Sequence, residues 1–196
     1  MKRIFDIVSS LVVLLVLSPF FILLAIAIVV DSRGGVFYRQ IRVGRNGREF
    51  GLYKFRSMVS HADKKGELTV GKKDSRITRV GAFIRKYKLD EFPQLINIIK
   101  GDMSIVGPRP EVPRYVNLYS QEQKKVLSVR PGLTDFASLE YINENELLGK
   151  SADPERTYID EIMPAKLELN LKYIREQGML TDLKIIFRTL FKIFRK

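Results

Sequence analysis

The sequence predicts an α/β fold with a membrane-embedded N-terminal segment, and three observations carry that prediction. An uncharged apolar run opens the chain, a strand–turn–strand pattern follows it, and helical segments fill much of the remainder. The 196 residues suit a core of domain size, and a hydrophobic content of 45% is too high for a disordered basic tail. The absence of cysteine excludes a disulfide scaffold and a thiolate zinc site, and the single histidine, His61, excludes a two-histidine metal motif.

The apolar run extends from Ile7 to Val30 and, as an α-helix, would reach roughly 36 Å, enough for a bilayer core of about 30 Å. Ser18 and Pro19 stand near its centre, where proline kinks or breaks a helix. One interpretation is a kinked helix that crosses the membrane, and the other is a re-entrant helix whose two ends lie on the same side. Basic residues flank both ends, which favours the re-entrant form because such flanks stay cytoplasmic.

The rest of the chain is predicted to form a cytosolic or interfacial domain over residues 32–196, separate from a membrane helix over 1–31. Its first element is a small β-hairpin, since strand patterns over 36–43 and 50–55 flank the type I′ turn signal Asn46-Gly47. A polar loop is predicted over 60–75. The remaining expectations are helices over 77–87, 92–100 and 121–129, a cap at Gly101 and an irregular proline-rich stretch over 107–113.

The last predicted element is an amphipathic C-terminal helix with a basic polar face. Its apolar stripe has helical spacing and consists of Leu183, Ile186, Phe187, Leu190, Phe191 and Phe194. Such a helix either packs on the core or lies in the lipid headgroups, and the N-terminal apolar run favours the second interpretation. The net charge of +12 would also suit nucleic acid, but no recognised nucleic-acid motif is present, and the apolar run argues against that partner.

Two adjacent carboxylates, Asp90 and Glu91, are the strongest candidates for chemistry. They precede an apolar-periodic segment with Pro93 in its first turn, which predicts that both lie at a helix N-terminus. Acidic residues are common there as caps, so a structural role is one interpretation. The basic neighbours in the sequence are Arg85, Lys86 and Lys88. They favour an ionised carboxylate, which beside a helix end could attack a phosphorus.

Two further segments carry basic side chains that suit phosphate. Strand alternation places Lys54 and Arg56 on one face, for which a solvated strand surface is the ordinary explanation. Two prolines stiffen the loop around Arg109, and a fixed guanidinium suits bidentate contact with a phosphate, although a plain turn is the alternative.

Six ordered blocks of sequence cover nearly the whole chain. They are KRIFD over 2–6 leading into the run with Ser18-Pro19, YKFRSM over 53–58, LDEFPQL over 89–95, KGDMSIVGPRP over 100–110, VRPGLT over 129–134 and DLKII over 182–186. Together they resemble the bacterial sugar transferases, which are monotopic phosphoglycosyl transferases that act on polyprenyl phosphate. The resemblance implies a re-entrant helix broken at the Ser-Pro pair, on the cytoplasmic face of a bacterial inner membrane.

The resemblance also implies a reaction in which a UDP-sugar gives its phosphosugar to polyprenyl (undecaprenyl) phosphate and UMP leaves. Asp90 would be the nucleophile that carries a covalent phosphosugar, and Glu91 would help to bind the metal or handle the acceptor's proton. Mg²⁺ is the expected cofactor, held by these two carboxylates together with phosphate oxygens. The implied phosphate-binding residues are Lys54, Arg56, Arg109 and, as weaker candidates, Arg85 and Arg130.

The chain departs from the family's common pattern at two places. Residues 135–141 read DFASLEY where many members have a Gly-Trp-Ala-Gln-Val-Asn-Gly segment, and Asn170 stands where a family aspartate is expected. These changes put the sugar and base contacts in doubt but leave the two adjacent carboxylates Asp90 and Glu91, the dyad, unaffected. The length predicts a minimal catalytic unit without extra spanning helices, and a homodimer is compatible with the sequence. The alternative function is a non-enzymatic, basic adaptor on the membrane surface, which explains the charge but not the dyad.

Overall fold

The computed structural model describes residues 1–60, 62 and 74–194, and it is a mixed α/β fold that is mostly helical. Its α-helices are α1 Lys2–Val16, α2 Ser18–Asp31, α3 Arg79–Lys86, α4 Gln94–Lys100, α5 Pro113–Val116, α6 Phe136–Glu140, α7 Glu144–Leu148, α8 Pro154–Thr157, α9 Met163–Glu176 and α10 Met179–Phe194. Its strands are β1 Phe37–Val43, β2 Glu49–Phe55, β3 Ser104–Val106 and β4 Gly132–Thr134. Most of the loop predicted over 60–75 falls outside the described residues.

The N-terminal run forms two helices, α1 and α2, that meet at an angle of 65°. The break lies at Leu17, and Pro19 sits in the first turn of α2, where its missing N–H costs nothing. The Ser18 hydroxyl donates a hydrogen bond to the carbonyl of Leu15 at 2.8 Å. Within the described residues, no single helix is long and apolar enough to cross a bilayer, whereas this bent pair meets the length and composition requirements together.

The predicted hairpin is confirmed, with β1 and β2 antiparallel from Val43 opposite Glu49 to Phe37 opposite Phe55. Asn46 and Gly47 have φ values of 57° and 75°, which the type I′ turn requires.

A second pair, β3 and β4, is parallel, and it brings together segments that are nearly thirty residues apart in the chain. A Cβ on Gly132 would lie 2.1 Å from the backbone nitrogen of Gly107, so only glycine fits this crossing.

The helices near the dyad are shorter than the sequence predicts. The helix predicted over 77–87 begins at Arg79, because the Thr78 hydroxyl accepts from the Gly81 N–H and acts as its N-cap. The helix predicted over 92–100 begins at Gln94, and Gly101 ends it with a φ of 99°, as expected. The segment predicted over 121–129 is a 3₁₀-helix over Gln123–Ser128 rather than an α-helix.

Each arm of the bent helix pair packs on one helix that flanks the dyad. Helix α1 packs against α4, with Val13 and Leu14 beside a buried cluster of Leu52, Leu95, Ile98 and Met103. Helix α2 packs against α3, with Leu24 and Ile28 in a buried cluster with Phe55 and Ile84. The dyad lies in the turn between α3 and α4, so both arms support it.

Polar contacts fix the outer ends of the two arms to the rest of the protein. Asp6, in α1, accepts from the Ser104 hydroxyl at 2.7 Å and is only 3% exposed. Asp31, at the end of α2, accepts from the Val80 N–H in the first turn of α3 at 2.8 Å. Arg3 donates to the carbonyls of Ile99 and Met103. Arg3 therefore binds carbonyls within the protein, in addition to adding positive charge at the start of the chain.

Candidate active site

Asp90 and Glu91 lie in a 3₁₀ turn, Leu89–Glu91, that connects α3 to α4. Lys88 precedes the turn with a left-handed backbone, φ 58°, which directs the chain from one helix into the other. Asp90 is 7% exposed. The sequence placed the pair at a helix N-terminus, and the structure places it one turn earlier, because α4 starts only at Gln94.

Glu91 is held by a two-pronged ion pair with Arg109. Nη1 of Arg109 donates to Oε2 of Glu91 at 3.1 Å, and Nη2 donates to Oε1 at 2.5 Å. Nη1 also donates to the carbonyl of Leu133 at 3.3 Å. Such fork-to-carboxylate geometry fixes both planes, so Glu91 and Arg109 form one rigid unit across the site.

The same pair sets the protonation of Glu91. Burial pushes the pKa of Glu91 upward, but the charges of Arg109 and Lys54 outweigh it and lower the pKa to about 2. The carboxylate in turn raises the pKa of Arg109 above its already high value. Glu91 is therefore an anion at neutral pH, and each of its oxygens accepts one hydrogen bond from Arg109.

Asp90 differs from Glu91 both in its hydrogen bonds and in its pKa. Among the residues that the structure describes, none donates a hydrogen bond to its carboxylate. Burial raises the pKa of Asp90, and the Glu91 charge raises it further, against the lowering effect of nearby Lys54. Arg85 and Lys88 also lower it, as the sequence argument expected, but their effect is smaller than that of burial and Glu91. Asp90 is thus the more basic carboxylate of the two, and the one whose oxygens accept no hydrogen bond from the described residues.

Lys54 lies on β2 and lines the same cavity as the dyad. Burial lowers its pKa to about 8, while the Glu91 and Asp90 charges act in the opposite direction. An ammonium with such a pKa is charged at pH 7 but loses its proton within the range of ordinary assays.

The other predicted phosphate ligands are distributed differently. Arg85 lines the cavity. Arg56 lines it too, but its terminal nitrogens donate to the carbonyls of Ile28, Ser32 and Arg33 at the end of α2. Arg130 is not among the described residues that line the cavity, and its Nε donates to the Gly101 carbonyl. The structure therefore gathers Lys54, Arg85 and Arg109 around the dyad, and it gives Arg56 and Arg130 contacts with backbone carbonyls.

The cavity has a volume of about 1440 Å³ and extends well beyond the dyad. Its basic lining consists of Arg39, Arg42, Lys54, Arg56, Arg76, Arg85, Lys88, Arg109, Arg114 and Lys166. Its acidic lining among the described residues consists of Asp90, Glu91, Glu111 and Glu144. The excess of positive charge suits an anionic ligand of nucleotide size.

A second polar cluster in the cavity was missed by the sequence reasoning. Arg42 donates to Glu111 at 2.8 Å, and the Tyr158 hydroxyl donates to the other Glu111 oxygen. Burial raises the pKa of Glu111, but the charges of Arg42 and Lys166 and the hydrogen bond from Tyr158 together outweigh burial and leave the pKa lowered. Pro110 and Pro113 flank Glu111 and leave no periodic pattern around it, and Tyr158 is far away in the sequence, so no local signal identified this cluster.

Asp135 was also missed, and it connects the Arg109 loop to α6. One of its oxygens accepts from the Arg109 N–H at 3.1 Å, and the other accepts from the Ser138 N–H at 2.6 Å as the N-cap of α6. Asp135 is fully buried. The aspartate three residues before Ser138 is a recognisable N-cap pattern, which could have identified this role.

Asp90 and Glu91 are the two carboxylates that could hold a divalent metal here. The described residues contain no group of three or more His, Cys, Asp or Glu suited to a metal, so the protein itself would supply only these two ligands. Asp90 has unused lone pairs, and each Glu91 oxygen keeps one beside Arg109. Mg²⁺ binds through one or two carboxylates when waters and phosphate oxygens complete its shell. The donor set therefore fits Mg²⁺ only together with a bound diphosphate.

Comparison with known proteins identifies the family to which this site belongs. The sequence model of the family described as "Bacterial sugar transferase" matches residues 1–196. The chain belongs to the bacterial sugar transferases. This confirms the resemblance seen in the six sequence blocks.

Three relatives within the family differ in how much of their own length this chain covers. The UDP-glucose:undecaprenyl-phosphate glucose-1-phosphate transferase of Escherichia coli (strain K12) is 37% identical over 99% of this chain and 40% of its own length. The UDP-N-acetylgalactosamine-undecaprenyl-phosphate N-acetylgalactosaminephosphotransferase of Aeromonas hydrophila is 35% identical over 96% of this chain and 42% of its own. The uncharacterized sugar transferase EpsL of Bacillus subtilis (strain 168) is 37% identical over 98% of this chain and 87% of its own. The chain thus spans less than half of the first two transferases.

Proposed function

We propose that this chain transfers a phosphosugar from a UDP-sugar to undecaprenyl phosphate and releases UMP. The observation that carries the proposal is the contrast within the dyad. Asp90 is buried and receives no hydrogen bond from the described part of the chain, whereas Arg109 immobilises Glu91. The names of the Escherichia coli and Aeromonas hydrophila relatives describe this reaction with two different sugars.

In the proposed first step, an oxygen of Asp90 attacks the sugar-proximal phosphorus of the UDP-sugar. The bond from that phosphorus to the bridging oxygen breaks, and UMP leaves with the electron pair. The product is a mixed anhydride between Asp90 and the phosphosugar. Glu91 is unsuited to this attack, because both of its oxygens accept from Arg109 and its pKa of about 2 makes it a weak nucleophile.

In the proposed second step, an oxygen of the lipid phosphate attacks the same phosphorus and the Asp90 carboxylate is released. Lys54 and Arg109 lie beside the dyad and would stabilise the charge on the phosphoryl oxygens in both steps. Mg²⁺, held by Asp90 and Glu91, would neutralise diphosphate charge and favour the departure of UMP.

The bent helix pair supports the proposed position at the membrane. Contacts near the start of α1 and at the end of α2 join both outer ends of the pair to the rest of the protein, which supports a re-entrant helix with both ends on one side. The outer face of α10 carries exposed Leu180, Phe187 and Phe191, which suits the lipid headgroup region. We place the protein on the cytoplasmic face of a bacterial inner membrane, where the dyad meets the lipid phosphate.

The test uses single-turnover UMP release. Purified protein is mixed with Mg²⁺ and a panel of UDP-sugars without acceptor, and UMP is expected at a stoichiometry approaching one per protein. Asp90→Asn is expected to abolish the burst, whereas Asp160→Asn, at an exposed carboxylate outside the cavity, is expected to leave it intact. Binding to anionic vesicles without UMP release from any UDP-sugar would instead support the non-enzymatic adaptor.

A further inference from the structure

The cavity that holds the dyad continues into an apolar groove between α1 and α10. The α1 wall consists of Phe5, Ser9, Ser10 and Val13, and the α10 wall consists of Ile186, Thr189, Leu190 and Ile193. Ile105 of β3 and Leu133 of β4 form the floor, and both are partly buried. Among the residues that the structure describes, this part of the lining carries no charged side chain, in contrast to the basic region around the dyad.

Polar contacts fix the positions of the two walls relative to each other. At one end, the Lys2 ammonium binds Asp182 and also donates to the Tyr173 hydroxyl, which connects the first turn of α1 to the first turn of α10. Further along α10, the hydroxyls of Thr189 and Thr134 share a hydrogen bond of 2.7 Å, which anchors that helix to β4. The groove is therefore a preformed feature of the fold.

The groove floor is directly connected to the charged centre. The carbonyl of Leu133 accepts from Nη1 of Arg109, the same nitrogen that donates to Glu91. An apolar surface thus ends at the guanidinium that faces the dyad. This arrangement complements a ligand with an anionic head and a hydrocarbon tail.

The groove also borders surfaces that are suited to lipid. Next to it, α1 exposes Val8, Leu11 and Val12, and α10 exposes Phe187, Leu190 and Phe191. A hydrocarbon chain that leaves the groove would meet apolar side chains on both helices. A water-soluble ligand would gain nothing from this surface.

We propose that this groove binds the isoprenoid chain of the lipid-phosphate acceptor next to its phosphate, an inference that rests on the proposed function. The wall from Ile186 to Ile193 is ~10 Å long at the helical rise per residue, so it covers only the phosphate-proximal isoprene units. The rest of the chain lies in the bilayer. Val13 and Leu190, on opposite walls, contact the hydrocarbon, and neither contacts the UDP-sugar.

The test separates acceptor binding from donor chemistry. The full chain is reconstituted in phosphatidylcholine–phosphatidylglycerol nanodiscs with undecaprenyl phosphate, and Leu190→Ser is compared with Phe187→Ser. Both residues are exposed apolar residues of α10, but only Leu190 lines the groove. Leu190→Ser is expected to raise the KM for undecaprenyl phosphate about 5- to 20-fold, the effect of losing one buried aliphatic contact.

The KM for the UDP-sugar and the acceptor-free UMP burst are expected to stay unchanged in both variants, which also shows that they fold. Phe187→Ser is expected to change the acceptor KM by less than about twofold, since it removes no groove contact. An equal rise in both variants would overturn the proposal, because it would assign the effect to general membrane attachment. An unchanged acceptor KM in Leu190→Ser would overturn it as well.

A second measurement does not depend on turnover. p-Benzoylphenylalanine is placed at position 190 or 187, and the lipids are crosslinked by light in the same nanodiscs. We expect undecaprenyl phosphate adducts severalfold more often at 190 than at 187. If the ratio of undecaprenyl phosphate adducts to phospholipid adducts is the same at position 190 as at position 187, the proposal is contradicted. A wild-type protein that releases no UMP but crosslinks selectively at 190 would refute the proposed reaction and leave the groove assignment standing.

Discussion

Removing Arg109 should expose how strongly the site depends on its ion pair with Glu91. In Arg109→Ala, the Glu91 carboxylate stays buried, with 15% of its side chain exposed, but loses both donors. Breaking a buried pair at one partner costs ~3–5 kcal/mol, because an uncompensated charge remains. The lowering of the Glu91 pKa from 4.5 to about 2 agrees with this cost, since such a shift corresponds to ~3 kcal/mol.

The sign of the pH dependence follows from the same shift. The folded-state pKa of Glu91 lies below its unfolded value, so the pair contributes its full stability above about pH 4.5 and loses it as the pH falls toward 2. The difference in free energy of unfolding between wild type and Arg109→Ala should therefore be about 3 kcal/mol at pH 7. It should shrink markedly at pH 4, because the unpaired carboxyl then takes up a proton.

The assay is urea unfolding in detergent micelles, with a double-mutant cycle of Arg109→Ala and Glu91→Gln. A coupling energy of roughly 3 kcal/mol at pH 7 is expected, because the double variant carries no uncompensated charge. A coupling energy below about 0.5 kcal/mol, the size found for exposed pairs, would refute the argument that this pair is buried and rigid.

Three further predictions concern other parts of the site. The profile of kcat/KM for the UDP-sugar should fall with an apparent pKa of about 8, as Lys54 loses its proton, and Lys54→Arg should remove this alkaline limb from a pH-rate measurement. Gly132→Ala should lower the free energy of unfolding by more than about 2 kcal/mol in urea titrations, because the new Cβ would lie 2.1 Å from the Gly107 nitrogen; a near-neutral effect would contradict the close approach. Arg56→Met should reduce thermal stability but change the KM for the UDP-sugar by less than about twofold, whereas a large rise in that KM would show that Arg56 binds phosphate after all.

Local signals in the sequence predicted the elements that depend on local geometry. The hairpin was predictable because Asn46-Gly47 dictates its own turn, and the Gly101 cap because its backbone needs a positive φ. The parallel pairing of β3 with β4 was not predictable, since three-residue strands carry no periodic signal and their partner is distant in the chain.

The candidate site was predicted in its centre and less well at its edges. Asp90, Glu91, Lys54 and Arg109 meet in one cavity, as the motifs indicated. Strand alternation placed Arg56 beside Lys54 but could not show that the backbone carbonyls at the end of α2 would take up its guanidinium. Long arginine side chains reach partners that no sequence spacing reveals.

The contacts of the N-terminal helix pair have a consequence for modularity. Asp6 supports β3, Asp31 supports the first turn of α3, and Leu24 and Ile28 complete a buried cluster with Ile84. Replacing residues 1–31 by a generic hydrophobic helix would therefore remove part of the protein's interior. Functional chimaeras should exchange this segment only together with α3, β3 and α4, so the helix pair and the fold are inherited as one unit.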